Sequence, residues 1–194
     1  MKTTTLEQLK EHLRPGRIYR REELTQWSSS VDRHLKALTE QAVLKKLRGG
    51  LYYYPRQFEF GEAPAEENSL IQAFLRTDHF IVLSPNIYNL LGLGTTQLYN
   101  KRVVYNQKRH GTFDLGGRNY FFQRRINIPK NLTQEFLLVD LVNELDQLAE
   151  DRDAVLARVR EKTTQMNHRT LSRAISLYGN YSTRKLFKEF LSYV

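Results

Sequence analysis

The sequence predicts an α+β protein: an N-terminal winged helix-turn-helix, then a mixed α/β domain with a small antiparallel sheet and a helical C-terminal part. Three observations carry this. Within residues 1–56, three helical periods give way to an alternation of period 2 around Gly49-Gly50. A second pair, Gly116-Gly117, joins two further alternating runs, and from about residue 132 the chain reads as helix to its end. The domains are therefore 1–56 and 64–194.

Thr4 or Thr5 caps a first helix in which Leu6, Leu9 and Leu13 recur at helical spacing, and Pro15-Gly16 ends it. Arg17 to Tyr19 reads as a brief extended link. Arg20 to Trp27 reads as a second helix with Leu24 and Trp27 inward. Ser28-Ser29-Ser30 supplies a turn and an N-cap cluster. The third helix, Ser30 to Gln41, sets Val31, Leu35, Leu38 and Ala42 along one face and Ser29, Arg33, Lys36 and Glu40 on the other. His34 sits at the edge of the buried face and reads as a packed histidine. Val43 to Leu47 and Leu51 to Tyr54 then form a hairpin, whose turn glycines supply the positive φ that such a short loop requires.

Residues 57–65 read as a linker from their Gly, Pro and charge content. Pro64 opens a helix carrying Leu70, Ile71, Phe74 and Leu75, and Phe80 to Leu83 is a strand. Ser84 caps another helix with Pro85 at its first position, closed by Gly92 and Gly94. Strands follow at Arg102 to Asn106, Gly111 to Leu115 and Arg118 to Gln123. Helices are expected from Thr133, over Ala154 to Lys162, over His168 to Leu177, and from Ser182 onward, with Gly179 just past a helix end.

Charge is unevenly spread. The net charge is +9, divided as +5 over residues 1–60, −3 over 61–100, +7 over 101–130 and zero over 131–194. Two basic blocks point to a polyanionic partner. In a winged helix the third helix enters the major groove and the hairpin lies along the backbone or minor groove. The candidate DNA contacts are Arg20 and Arg21 opening the second helix, Ser28, Ser29 and Ser30 at the start of the third, and Arg33 and Lys36 on its polar face. Lys45, Lys46, Arg48 and Tyr52 on the wing complete the set. Asp32 and Glu40 oppose phosphate if they point into the groove. A second basic surface is expected from Lys101, Arg102, Lys108, Arg109, Arg118, Arg124 and Arg125, fitted either to nucleic acid or to an acidic partner.

Other classes are disfavoured. Absence of cysteine excludes a disulfide framework, thiol catalysis and Cys-ligated zinc. Apolar runs such as Phe80 to Leu83 reach four residues, against the roughly 20 of a membrane span. The N-terminus has no apolar signal region, so the expectation is a soluble cytoplasmic protein with no membrane partner. GxxxxGK[ST], HExxH and GxSxG are absent, and His12, His34, His79, His110 and His168 never stand at metal-ligand spacing. No cofactor, no metal and no enzymatic activity are expected. A carboxylate site assembled by the fold and acting on nucleic acid stays as a lesser alternative.

Arg48-Gly49-Gly50-Leu51-Tyr52-Tyr53-Tyr54-Pro55, Leu83-Ser84-Pro85, Asn89 to Leu93 and Tyr120 to Arg125, in that order, resemble the AbiEi-type antitoxins of type IV toxin–antitoxin systems over about residues 10–150. The resemblance implies a transcriptional repressor that binds an inverted-repeat operator on double-stranded DNA as a monomer or weak dimer. It also implies an antitoxin-like second domain that counteracts a nucleotidyltransferase-like toxin without a stable inhibitory complex. The wing, Lys45 to Tyr54, and the helix Ser30 to Gln41 carry the DNA-binding role by position. The alternative is a protein- or RNA-docking module that uses the winged helix and basic sheet as interaction surfaces.

Overall fold

Helix α1 (Thr5–His12) turns Leu9 into the core, and Leu13, just past its end, is buried beside it. The structure, a computed structural model, describes residues 5–93, 95 and 97–192. Thr4 and Gly94, the alternative cap and one of the two helix-closing glycines, lie outside the described residues, as do Tyr193 and Val194. The fold is α+β. The chain divides into two units, Met1–Phe80 with Gly111–Tyr120 and Ile81–His110 with Phe121–Val194.

In the first unit, residues 18–20 are a strand, β1 (Ile18–Arg20), rather than a bare link. Three residues are too few to show an alternation, and the strand exists because β3 (Leu51–Tyr53) pairs with it antiparallel, Ile18 opposite Tyr53 and Arg20 opposite Leu51. With β2 (Lys45–Arg48) the sheet order is β1-β3-β2. The second helix is one turn, α2 (Arg21–Leu24), shorter than expected because the chain tightens after it, Trp27 N–H donating to Leu24 O at 3.1 Å. Helix α3 (Val31–Glu40) buries Val31, His34, Leu35 and Leu38. These side chains, apart from His34, share one apolar cluster with Leu9, Leu13, Tyr19, Leu24 and Leu44. Ala42, expected on the helix's buried face, instead lies beyond the helix, exposed, at φ 56°.

The expected linker contains a two-stranded hairpin, β4 (Gln57–Phe58) and β5 (Gly61–Glu62), held by Gln57 Nε2 donating to Glu62 Oε1 at 3.0 Å. Helix α4 (Glu67–Leu75) starts later than Pro64. The Glu66 carboxylate caps it by accepting from the Asn68 and Ser69 amides at 2.9 and 2.6 Å, which also lowers the carboxyl's pKa.

The second unit is built around α5 (Gln134–Glu144), capped by Thr133, in which Phe136 to Leu141 are all buried. A helix buried on every side must be central. It is packed by the 3-10 helix Pro85–Leu91, capped by Ser84, and by α7 (His168–Tyr178) and α8 (Tyr181–Leu191). Helix α6 (Arg152–Gln165) contributes Val155 and Val159 to the same core. Strand β6 (Phe80–Leu83) precedes the 3-10 helix, and β7 (Val103–Asn106) follows it. β8 (Gly111–Leu115) and the start of β9 (Arg118–Arg124) form the hairpin over Gly116-Gly117, which belongs to the first unit, and β9 continues into the second. β9 runs parallel to β7, Val103 opposite Phe121 and Asn106 opposite Arg124. The expected small antiparallel sheet did not include this parallel pair.

One polar network lies inside this core. Asp140, 2% exposed, accepts from Tyr88 Oη at 2.8 Å and Tyr105 Oη at 2.9 Å. The Arg125 guanidinium lies 3.6 Å from Asp140, pairs with Glu144, and stacks 4.7 Å from the Tyr105 ring centre. Two carboxylates thus share one cation. Burial pushes the Asp140 carboxyl up to about 6, against the pull of Arg125 and the two tyrosine hydroxyls. The folded protein then binds more protons than the unfolded chain between about pH 4 and 6, so this group's contribution to stability falls as pH rises through that window. The fall amounts to about 3 kcal/mol. Asp140→Asn is expected to flatten the slope, as read from urea unfolding of both proteins at pH 4, 5, 6 and 7.

Candidate nucleic-acid interface

The stripe that buries α3 fixes what the helix exposes. Asp32, Arg33, Lys36 and Glu40 face solvent because Val31, Leu35 and Leu38 do not. Arg33 has no ion-pair or hydrogen-bond partner among the described residues, and neither does Lys46 on β2. Ser29 is exposed, and Ser30 occupies the N-cap position without a side-chain bond to the helix. That first turn therefore presents hydroxyls and backbone amides together.

Several expected contacts are already committed within the protein. Arg21 donates from Nε and Nη2 to both oxygens of Asp32, at 2.6 and 2.5 Å. The Asp32 carboxyl is held below the usual range by these hydrogen bonds and by the guanidinium charge. The pair removes the repulsion that Asp32 alone would exert on phosphate. Lys36 lies 3.9 Å from Glu40 one turn along, an exposed pair that a stronger anion can displace. Lys45 pairs with Glu62, and Tyr52 is half-buried, its hydroxyl raised in pKa chiefly by burial.

Three expected site residues are turned away from solvent. Ser28 is buried, sharing a 2.8 Å hydrogen bond with His34 Nδ1, so its hydroxyl supports the packed histidine and is not presented to a ligand. Arg20 donates from Nη1 to Ala73 O at 2.5 Å, its side chain 18% exposed and directed to α4. Arg125, expected on the second basic surface, belongs to the buried Asp140 network because residue 125 follows β9 where the chain passes α5. Of the other residues expected on that surface, Arg118 is half-buried in the first unit, whereas Lys101, Arg102, Lys108, Arg109 and Arg124 are exposed in the second.

How the β2–β3 hairpin is held was not legible in the sequence. Gly116 N–H donates to Leu47 O at 2.9 Å, so the hairpin over Gly116-Gly117 docks on β2. Gly116 has φ 64°, and a Cβ there would lie 2.8 Å from Leu47 Cδ2, so both backbone and contact require glycine. Arg48 sits 5.6 Å from the Phe74 ring centre and 4.9 Å from that of Phe113, and donates to Asp114 O at 3.2 Å. The one available signal was the pair Phe74 and Phe113 beside Arg48, which no local pattern joins.

Among the described residues, no group of three His, Asp or Glu side chains is placed to hold a metal ion, and no helix is long and apolar enough to cross a membrane. Comparison with family models, curated proteins and solved structures finds no match for the chain. Arg48→Ala is expected to lower stability by about 1 kcal/mol through its two ring contacts, while Lys46→Ala changes it by less than about 0.5. Thermal unfolding of the two variants separates these outcomes. Ser28→Ala leaves His34 Nδ1 without its partner and costs about 1–3 kcal/mol on the same scale.

Proposed function

We propose that the first unit is a winged helix-turn-helix that binds double-stranded DNA with sequence specificity. On this reading the protein is the repressor and antitoxin of a type IV toxin–antitoxin operon. The observation that carries it is the order α1-β1-α2-α3-β2-β3 with sheet order β1-β3-β2, which leaves the Arg33 face of α3 in solvent and a basic hairpin after it. This order and exposure suit entry of α3 into a major groove, with β2–β3 along the adjacent backbone. Arg33 reads base edges, Lys36 and Lys46 contact phosphates, and Ser29 with the first-turn amides of α3 anchors another phosphate. Arg21 and Asp32 act as a unit that keeps the start of α3 neutral toward the duplex.

The antitoxin part of the reading rests on the resemblance and on the presence of a separate helical unit after the hairpin. That unit counteracts a nucleotidyltransferase-like toxin encoded next to it, in the cytoplasm, without a lasting complex.

Mobility shifts on the DNA upstream of the protein's own reading frame, against a scrambled duplex of equal length, test the repressor claim. Arg33→Ala is expected to weaken specific binding by ~1–3 kcal/mol, while Lys46→Ala weakens both duplexes alike and flattens the salt dependence by about 0.9 in log–log slope. Equal affinity of the native protein for both duplexes refutes specificity. Co-expression with the neighbouring reading frame tests the antitoxin claim, by whether growth is restored.

A further inference from the structure

Away from the wing turn, the other end of the first unit's sheet carries a concentration of positive charge. Arg14 and Arg17 flank the turn Pro15-Gly16, closed by Arg17 N–H donating to Arg14 O at 3.2 Å. Arg56 crosses the same turn. Its Nε donates to Pro15 O at 3.4 Å, and a Cβ on Gly16 would lie 2.3 Å from that nitrogen. The three guanidinium groups are held by neutral partners only: Arg14 by the Glu11 and Leu13 carbonyls, Arg17 over the Tyr19 ring, Arg56 by Pro15. None has a carboxylate partner among the described residues. Like charges gathered at one turn without a direct ion pair repel each other, and an anionic partner relieves that cost.

The chain leaving Arg56 forms the β4–β5 hairpin, closed by Ala63 N–H donating to Arg56 O at 2.9 Å. Its tip exposes Phe58 by 62% and Phe60 completely. Exposed phenylalanines beside arginines are the composition of a protein-docking surface. Nucleic acid suits it less. Glu59 stands between the two rings, and Glu22, Glu23 and Asp78 line the groove that Arg14, Arg17 and Arg56 border. Those carboxylates repel an unbroken run of phosphates, whereas a protein surface of mixed charge sets cations as well as anions against the groove.

The second unit carries the matching features. Residues 146–153 hold four carboxylates, Asp146, Glu150, Asp151 and Asp153, against one cation, Arg152. Leu98, 86% exposed, lies beside this turn, because Gln97 N–H and Tyr99 Oη both donate to Glu150 Oε1 at 3.3 Å. Net charge +2 over Arg14, Arg17, Arg56 and Glu59, with two exposed rings, thus complements net charge −3 with an exposed leucine on another surface.

We propose that the Arg14–Arg17–Arg56 turn and the Phe58/Phe60 tip of one copy dock on the 146–153 turn and Leu98 of a second copy. The contact is heterologous, each copy offering a different patch. It forms without DNA, so it stands or falls separately from the repressor reading.

Sedimentation velocity of the full chain without DNA is the test. The native protein is expected to associate with rising concentration, more weakly at higher salt. Arg14→Glu with Arg17→Glu in one variant, and Asp146→Lys with Asp153→Lys in another, each weaken that association about tenfold or more. An equimolar mixture of the two variants regains it, which neither does alone, and misfolding cannot produce that rescue. Phe58→Ser with Phe60→Ser also weakens it. A native protein still monomeric at about 0.5 mM, association indifferent to both reversals, or a mixture that fails to regain it overturns the proposal.

Discussion

The burial of Val31, Leu35 and Leu38 against Leu9, Tyr19 and Leu24 governs everything the first unit offers to a partner. A helix has one angular degree of freedom about its own axis, and an apolar stripe spends it. Once those three side chains are inside, Arg33 and Lys36 have nowhere to go but outward, and the helix start is presented with Ser29 and Ser30. The three-stranded sheet closes the other side of this core through Tyr19 and Leu44. The β2–β3 hairpin therefore inherits its direction from the same packing that aims α3.

Charge count and charge availability differ sharply here. Residues 1–60 carry twelve Lys and Arg. Yet Arg21 is spent on Asp32, Lys45 on Glu62, Arg48 on two aromatic rings, and Arg20 on a helix carbonyl. Among the described residues of α3 and β2, Arg33 and Lys46 stay free. The second unit repeats the lesson, since Arg125 contributes to the +7 of its block but is bound between two carboxylates beneath the surface. A basic block in sequence is thus an upper bound on the cations that can meet an anion.

Local signals were legible, and pairings made at long range were not. Ser84-Pro85, the helix start at Thr133, the Gly116-Gly117 turn and the α3 stripe all act within a few residues, so sequence alone located them. β1 and the β4–β5 ladder are two or three residues long and owe their existence to partners, so no periodicity announced them. The parallel pairing of β7 with β9 depends on which strands meet, and two strands with identical alternation pair either way. For the candidate site, residue types and the polar face of α3 were readable. The inward turn of Ser28, Arg20 and Arg125 was not, because each is set by a partner distant in the chain or on another element.

The first unit is not a contiguous stretch of sequence. The hairpin that donates to Leu47 O and flanks Arg48 comes from residues 111–120, some sixty positions after β2. During synthesis the helices and the three-stranded sheet leave the ribosome first. At about 5–20 residues per second, the segment that braces β2 emerges several seconds later. Nascent chains halted before residue 120 hold a first unit whose β2–β3 hairpin lacks its brace, so maturation of this unit waits until the ribosome has translated part of its neighbour.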